Sequence, residues 1–161
     1  MDDKLGTLEK LSELIADAEE VDMSSVKFGD IIYVRLDKDD GLTLKNGYND
    51  REKYIVILGF TPKGTAVGAL LINSEIDPSK NSGELLDCQY PLMLYKYRDI
   101  LDYDSWLDCS EIFELSKLKI TERHGRLKGC LIPDDKERVM EFLQETEVHD
   151  KATKKYYGII K

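Results

Sequence analysis

The chain has 161 residues, of which 42% are hydrophobic and 34% charged, and its formal net charge is −9. This length and composition predict one soluble globular domain, and no apolar run reaches the ~18 residues that a membrane-spanning helix requires. The negative charge argues against non-specific binding to DNA or RNA and suits a basic partner.

Three widely spaced cysteines lie outside any metal-binding or redox motif, and the acidic N-terminus has no apolar signal segment. We therefore expect a cytoplasmic protein without a membrane partner, in which Cys88, Cys109 and Cys130 are buried free thiols. The sequence predicts neither a metal site nor a cofactor.

The first predicted element is an amphipathic helix from Lys4 to Asp22, because leucines and other apolar residues recur there at three- and four-residue spacing. We assign residues 1–24 to this helix. It either packs on the surface of the domain or docks a partner chain.

Two β-branched, apolar runs follow, Ile31–Leu36 and Tyr54–Leu58, and both predict strands. Between them lies a polar segment from Asp37 to Glu52, rich in Asp, Gly, Asn, Lys and Arg. A connection of that length is usually functional or disordered, so the functional interpretation rests on it.

A third strand is predicted at Thr65–Asn73, after the turn signal Thr61–Gly64, which makes an antiparallel meander. Ser74–Asp87 is loop-like in composition. Gln89–Tyr97 and Ser105–Leu115 return to strand character.

Leu118–Ile120 either continues the preceding strand or turns, and Leu127–Ile132 is a short apolar run. Pro133 begins a helix that ends near Glu145. The basic tail, residues 148–161, either adds a last strand or stays mobile. The fold class is therefore mainly β (α+β): a small, strongly curved antiparallel sheet or barrel at residues 25–147, with helices covering its open edges.

Several short motifs occur in the same order as in the MazF/PemK toxins of bacterial toxin–antitoxin pairs, which this chain resembles over roughly residues 28–145. The motifs are Gly29-Asp30-Ile31, Arg51-Glu52-Lys53-Tyr54-Ile55-Val56-Ile57, Ile72-Asn73-Ser74, Asp104-Ser105-Trp106-Leu107, Lys117-Leu118, and Gly129-Cys130-Leu131 before Pro133. Two positions differ from the family pattern: Lys53-Tyr54 stands where the family usually has Arg-Pro, and Asn73 stands in place of its threonine.

The resemblance implies an SH3-like small antiparallel barrel that forms a homodimer. It also implies metal-independent cleavage of single-stranded RNA, with no cofactor, and a cognate antitoxin protein as a second partner. In such cleavage the 2′-hydroxyl attacks the adjacent phosphorus. A base accepts the hydroxyl proton, an acid protonates the leaving 5′-oxygen, and a cation stabilises the charged phosphorane.

Arg51 suits the cation because a guanidinium binds phosphate through two hydrogen bonds, and Lys53 is the alternative. Asn73 and Ser74 are the predicted hydrogen-bond donors to phosphate oxygens. The predicted substrate-binding residues are Tyr48, Asp104, Ser105 and Trp106, of which the aromatic ones would stack on unpaired bases. Each position also has a structural interpretation as a loop charge, strand end, turn cap or core residue.

Asp37, Asp39 or Glu52 would serve as the base, provided that its pKa is raised. His124 and His149 are the only histidines, and both read as polar residues near turns or helix ends. Two further hypotheses remain: a catalytically inactive, protein-binding member of the same fold, and an accessory domain of unknown ligand.

Overall fold

The computed structural model describes residues 20–44 and 47–161. Most of the helix predicted from Lys4 to Asp22 therefore lies outside the described residues. Its last part is not helical, because Glu20 forms an antiparallel bridge with Arg126. Val21 and Met23 are buried in the same core as Val26, so the chain joins the packed domain from this point.

Six strands of the described chain form one antiparallel sheet in the order β4-β5-β3-β2-β1-β6. They are β1 (Asp30–Asp37), β2 (Asp50–Phe60), β3 (Ala66–Asn73), β4 (Gln89–Leu92), β5 (Ser105–Ser116) and β6 (Arg126–Cys130). The predicted meander is confirmed, since β1, β2 and β3 pair in sequence. The predicted polar connection is shorter than expected, because β2 already begins at Asp50.

Four short or medium α-helices and three 3-10 helices complete the described part. They are α1 (Gly83–Asp87), α2 (Lys117–Glu122), α3 (Pro133–Glu145) and α4 (Lys151–Tyr156), with 3-10 turns at Lys38–Asp40, Pro78–Lys80 and Leu94–Lys96. The helix predicted from Pro133 is confirmed. The strand predicted at Gln89–Tyr97 is wrong beyond Leu92, where the chain turns into a 3-10 helix.

The strand prediction at Ser105–Leu115 is confirmed, and the chain then turns. Ser116 ends β5 and its Oγ accepts a hydrogen bond from the Lys119 backbone N–H at 3.3 Å, which caps α2. This cap is why Leu118–Ile120 forms a helix rather than a continued strand.

The sheet is covered on both faces. Side chains alternate along β2, so that Ile55 and Ile57 point into one core and Val56 and Leu58 into the other. The first core lies inside the curve of the sheet. The second lies under α3 and α4, with Val139, Leu143 and Ile159 among its buried members.

The curvature brings the end of β1 across the sheet to β5. Gly41, which caps the 3-10 turn after β1 with a φ of 94°, is so close to Phe113 that an added Cβ would lie 3.3 Å from the ring. In the sheet order, β2 and β3 separate β1 from β5. The sheet is therefore a half-barrel, which agrees with the coarse prediction of a small, curved antiparallel sheet.

A buried carboxylate anchors the start of α3 to the sheet. Asp135 accepts hydrogen bonds from the hydroxyls of Tyr90 and Tyr97, both at 2.5 Å. Tyr97 in turn accepts the backbone N–H of Ile132 at 3.1 Å. Burial and the Asp135 carboxylate both raise the pKa of the two tyrosines, which stay protonated as donors.

The C-terminal segment is neither a strand nor a mobile tail, which corrects the sequence prediction. It forms α4, and the ammonium of buried Lys154 donates to the carbonyl oxygens of Gln144 (2.8 Å) and Thr146 (2.6 Å) at the end of α3. Tyr157 fills the space beside Gly68 of β3, where an added Cβ would lie 2.4 Å from the ring. Interactions at a helix C-terminus thus fix this segment to the domain.

Three ladders of the sheet are irregular. The register shifts between Ile31 and Ile32, between Ile57 and Gly59, and between Ala69 and Leu71. In β2 the shift falls at Leu58, the last of the four consecutive buried residues at 55–58. Such bulges bend strands and increase their local twist, which fits the curvature of the sheet.

The three cysteines are free thiols. Cys88 and Cys109 are buried as predicted, whereas Cys130 at the end of β6 is exposed, contrary to the prediction. Burial raises the pKa of Cys88 and Cys109, so both remain protonated and unreactive.

Candidate functional site

A cavity of about 360 Å³ opens at the polar end of the curved face. Its volume is typical of a small-molecule site. It brings together five of the eight site residues predicted from the sequence: Tyr48, Arg51, Lys53, Asn73 and Ser74. The residues come from the loop before β2, the start of β2 and the end of β3.

The alternation of β2 and β3 explains why these side chains meet. Arg51 and Lys53 lie on the same face of β2 as the buried Ile55, but nearer the open end of the sheet. Tyr54 pairs with Ile72 in the antiparallel ladder. The neighbouring residues Lys53 and Asn73 therefore lie opposite each other, and Lys53 Nζ donates to Asn73 Oδ1 at 3.0 Å. The polar cavity is therefore a continuation of the inner core.

Arg51 presents its guanidinium to solvent. The residue is exposed and forms no hydrogen bond or ion pair with any residue in the described part of the chain. A guanidinium in this state keeps its full set of donors for an anion.

Aromatic and apolar groups form the remaining walls. Tyr48 is 62% exposed at the mouth, while Leu42 and Phe113 are buried beneath it. The cavity thus combines cationic donors with an apolar wall.

A partly buried ion-pair network lies on the β5 side of the cavity. Lys80 Nζ donates to Asp108 Oδ2 and to Glu111 Oε2, both at 2.7 Å. Asp108 is 4% exposed, and its Oδ1 also accepts from Gln89 Nε2 (2.9 Å) and Ser110 Oγ (2.5 Å).

The network fixes the charges of its members. Burial alone would raise the pKa of Asp108, but hydrogen bonds from Lys80, Ser110 and Gln89 outweigh it and lower the pKa below its ordinary value. For Lys80, burial works against the charge, yet Asp108 and Glu111 raise its pKa. Both groups are therefore ionised at neutral pH.

The sequence did not predict this network. β5 mixes polar and apolar residues, but Asp108 is buried in it, and a buried carboxylate requires a partner. The partner, Lys80, lies in a segment that reads as a plain loop. Only the 3-10 turn that Pro78 begins and Asp77 caps places it against β5.

The carboxylates predicted as bases lie elsewhere. Glu52 accepts from the Tyr33 hydroxyl at 2.8 Å and pairs with Arg35, and Asp37 pairs with Arg123 at 3.2 Å. Glu52 and Asp37 line a second cavity of about 400 Å³ beside β1. Asp39 lies in the exposed 3-10 turn and lines neither cavity.

Three of the predicted substrate-binding residues do not line the first cavity. Ser105 is buried and its Oγ donates to the Tyr103 carbonyl at 3.0 Å. Asp104 accepts the Leu94 backbone N–H at 2.7 Å, and Trp106 pairs with Asn73 across the β3–β5 ladder. Turn geometry and strand pairing account for these side chains.

Neither histidine lines this cavity, and each has a structural contact. His124 follows α2 with a φ of 57°, and its Nδ1 contacts a carboxylate oxygen of Glu20. His149 Nε2 lies 2.8 Å from the Cys109 carbonyl oxygen.

In the described residues, no group of three or more His, Cys, Asp or Glu side chains is arranged to hold a metal ion. No helix in the same part of the chain has the length and apolar character needed to cross a membrane. Comparison with known proteins gives no assignment: no family model matches the chain, and no curated protein matches it.

Proposed function

We propose that this chain is a metal-independent endoribonuclease of the MazF/PemK type that cleaves single-stranded RNA. The observation that supports the proposal is the meeting of Arg51, Lys53, Asn73 and Ser74 in one cavity, with Tyr48 at its mouth. These residues were selected from the sequence for one reaction, and they come from separate elements of the fold.

In the proposed reaction, Arg51 and Lys53 hold the scissile phosphate. The ribose 2′-oxygen attacks phosphorus, the P–O bond to the 5′-oxygen of the next nucleotide breaks, and a 2′,3′-cyclic phosphate forms. Asn73 Nδ2 and Ser74 Oγ donate hydrogen bonds to the phosphate oxygens while their negative charge grows. Donors arranged in advance around developing charge are the largest source of rate acceleration in such a step.

We assign the general base to Glu75. Of the carboxylates that line the cavity, Asp77 accepts from Ser79, and Asp108 and Glu111 accept from Lys80. Glu75 is exposed beside Ser74 and forms no hydrogen bond or ion pair with the described residues. It takes the 2′-hydroxyl proton, and the departing 5′-oxygen receives a proton from Lys53 or from solvent.

The finer fold assignment and the partners belong to the same proposal. The half-barrel would be an SH3-like barrel, and the protein would act in the cytoplasm as a homodimer that a cognate antitoxin protein neutralises. The net charge of −9 suits a basic antitoxin segment.

The direct test is cleavage of fluorescent single-stranded RNA by the purified chain in the presence of a metal chelator. We expect products that end in a cyclic phosphate and a 5′-hydroxyl, and growth inhibition when the chain is expressed in bacteria. Intact RNA and normal growth would count against the nuclease.

The second candidate is a non-catalytic protein-binding module. One observation favours it: four carboxylates line the cavity beside three cations, and this excess opposes binding of a polyanion. A reproducible protein partner, together with unchanged RNA in the cleavage assay, would support this alternative.

A further inference from the structure

The β5 side of the cavity presents a carboxylate whose position is fixed. Glu111 lies half-exposed at the cavity, and one of its oxygens, Oε2, accepts from Lys80 Nζ at 2.7 Å. Lys80 is itself held by the buried carboxylate of Asp108. A surface glutamate normally samples several rotamers, but this one is tied to an ion pair that is mostly buried.

Glu111 also keeps unused acceptor capacity. A carboxylate offers about four lone-pair sites on its two oxygens. Lys80 uses one of them, and Oε1 accepts no hydrogen bond from any other residue that the structure describes. The cavity therefore contains a fixed acceptor that selects for a ligand with N–H donors.

The neighbouring walls suit a flat, aromatic ligand. Phe113 and Leu42 are buried at the cavity, and the exposed ring of Tyr48 lies at its mouth. Stacking on aromatic side chains and hydrogen bonding to the Watson–Crick edge are the usual means by which a protein reads an unpaired base.

Arg51 and Lys53 line the cavity from β2, whereas Glu111 lines it from β5. Because β3 lies between these two strands in the sheet, the strands that carry the two polar groups are about 10 Å apart. A nucleotide has a phosphate at one end and a base edge at the other. The placement of Arg51 on β2 and Glu111 on β5 matches this polarity.

From this geometry we propose that the cavity reads guanine in single-stranded RNA and that Glu111 is the specificity residue. The inference rests on the proposed function, since it names the base next to the phosphate that Arg51 would bind.

Guanine is chosen over the other three bases because of its pattern of hydrogen-bond donors. Guanine presents two adjacent donors, N1–H and the N2 amino group, which match two carboxylate oxygens. Adenine and cytosine each place an acceptor nitrogen beside their amino group, and that nitrogen would face the negative charge of Glu111. Uracil presents one N–H between two carbonyl oxygens.

The test is to titrate the full chain with nucleoside 5′-monophosphates and to measure binding from NMR chemical shifts. This measurement does not depend on cleavage. We expect GMP to bind about ten-fold or more tightly than AMP, CMP or UMP, in line with the usual discrimination of a bidentate contact. IMP, which lacks the N2 amino group, should lose most of this advantage.

Two variants separate base reading from phosphate binding. Glu111→Gln should abolish the preference for GMP over AMP, CMP and UMP, because the amide cannot accept through both atoms. Arg51→Ala should weaken all four nucleotides by a similar factor and preserve their ratios. Glu137→Gln, an exposed change on α3, is the matched control.

The results distinguish this inference from the nuclease proposal. Preference for GMP that is lost in Glu111→Gln supports guanine reading even if RNA is never cleaved. RNA cleavage without preferential GMP binding leaves the nuclease standing and overturns guanine reading. An unchanged GMP preference in Glu111→Gln overturns the role of Glu111.

Discussion

The exposed guanidinium of Arg51 is the cavity group best placed to contact a phosphate. Arg51→Ala should reduce RNA cleavage about 10²–10³-fold, which is the usual loss for one preorganised contact to developing charge. Arg51→Lys should restore part of the rate, because an ammonium lacks the planar pair of donors. Cleavage of a fluorescent RNA gives the rates.

The fold should survive these changes, since surface substitutions usually alter stability by less than about 0.5 kcal/mol. Arg138→Ala on the exposed face of α3 removes an equal charge away from the cavity and should cleave normally. If Arg51→Ala cleaves at the wild-type rate while Lys53→Ala is inactive, the essential cation is Lys53.

A second prediction concerns Glu75. Glu75→Gln should lower the maximal cleavage rate about 10²–10⁴-fold, the usual contribution of a positioned base, with little change in RNA binding. Comparing the maximal rate with the affinity for uncleaved RNA separates the two effects. Glu84→Gln, exposed on α1, is the control, and a fully active Glu75→Gln would remove Glu75 from the mechanism.

Asp108 should make stability depend on pH. Because its pKa in the folded chain is lowered, its contribution is present above the unfolded pKa near 4 and is lost as the pH falls through the folded value. Lys80, whose pKa is raised, stays charged throughout.

Asp108→Asn should therefore lose about 2–3 kcal/mol of unfolding free energy at pH 7, because Lys80 and Ser110 lose a charged acceptor. The difference from the wild type should begin to shrink below about pH 4, where the carboxylate becomes protonated in the unfolded chain, and it should be lost as the pH falls through the lower pKa of the folded chain. Urea unfolding from pH 3 to pH 7 measures it. A difference that does not change with pH would mean that Asp108 does not act through its charge.

At the scale of the elements, the contact between α3 and α4 depends on one buried lysine. Lys154→Met keeps the apolar stem but removes the donors to Gln144 and Thr146, so we expect a loss of about 1–3 kcal/mol. Lys155→Met, an exposed neighbour on the same helix, should change stability by less than about 0.5 kcal/mol. Equal stability of the two variants would show that the hydrogen bonds from Lys154 to the end of α3 contribute nothing to the free energy of unfolding.

The elements that sequence patterns predicted well are those with strong local signals. The β-branched runs around Ile31 and Ile55 gave their strands, and Pro133 with two following aspartates gave α3. The prediction for the tail failed because a tertiary contact decides there: Lys154 fixes the tail to the end of α3. The turn after β5 stayed open in the sequence, although Ser116 is a favoured N-cap residue and bonds locally to Lys119.

The candidate site divides in the same way. Arg51, Lys53 and Asn73 were predicted from the order of the family motifs and from the chemistry of phosphate binding, without knowledge of the strand alternation that brings them together. Lys80 and Asp108 were missed, because their pairing joins a loop to a strand far along the chain. Ser105 was predicted to bind substrate, but its hydroxyl donates to the Tyr103 carbonyl oxygen in a local turn and does not line the cavity.

At the scale of the whole molecule, the proposed function predicts a homodimer, since two-fold contacts are the commonest way in which identical chains associate. Light scattering at micromolar concentration should give twice the 18.5 kDa mass of one chain. The mass of a single chain would contradict the proposed dimer, and dilution would show whether association is merely weak.

The covering of both faces of the sheet has a consequence for how its strands find their partners. Residues 55–58 are apolar on both sides, so a slip of one position would exchange one buried hydrocarbon for another at little cost. Such a slip becomes costly only at the polar start of β2, where it would turn Lys53 towards the core beneath the helices. The charged residues at the start of β2, which line the cavity, therefore also help to fix the register of strand pairing. Their loss would favour chains with misaligned strands that are prone to aggregate.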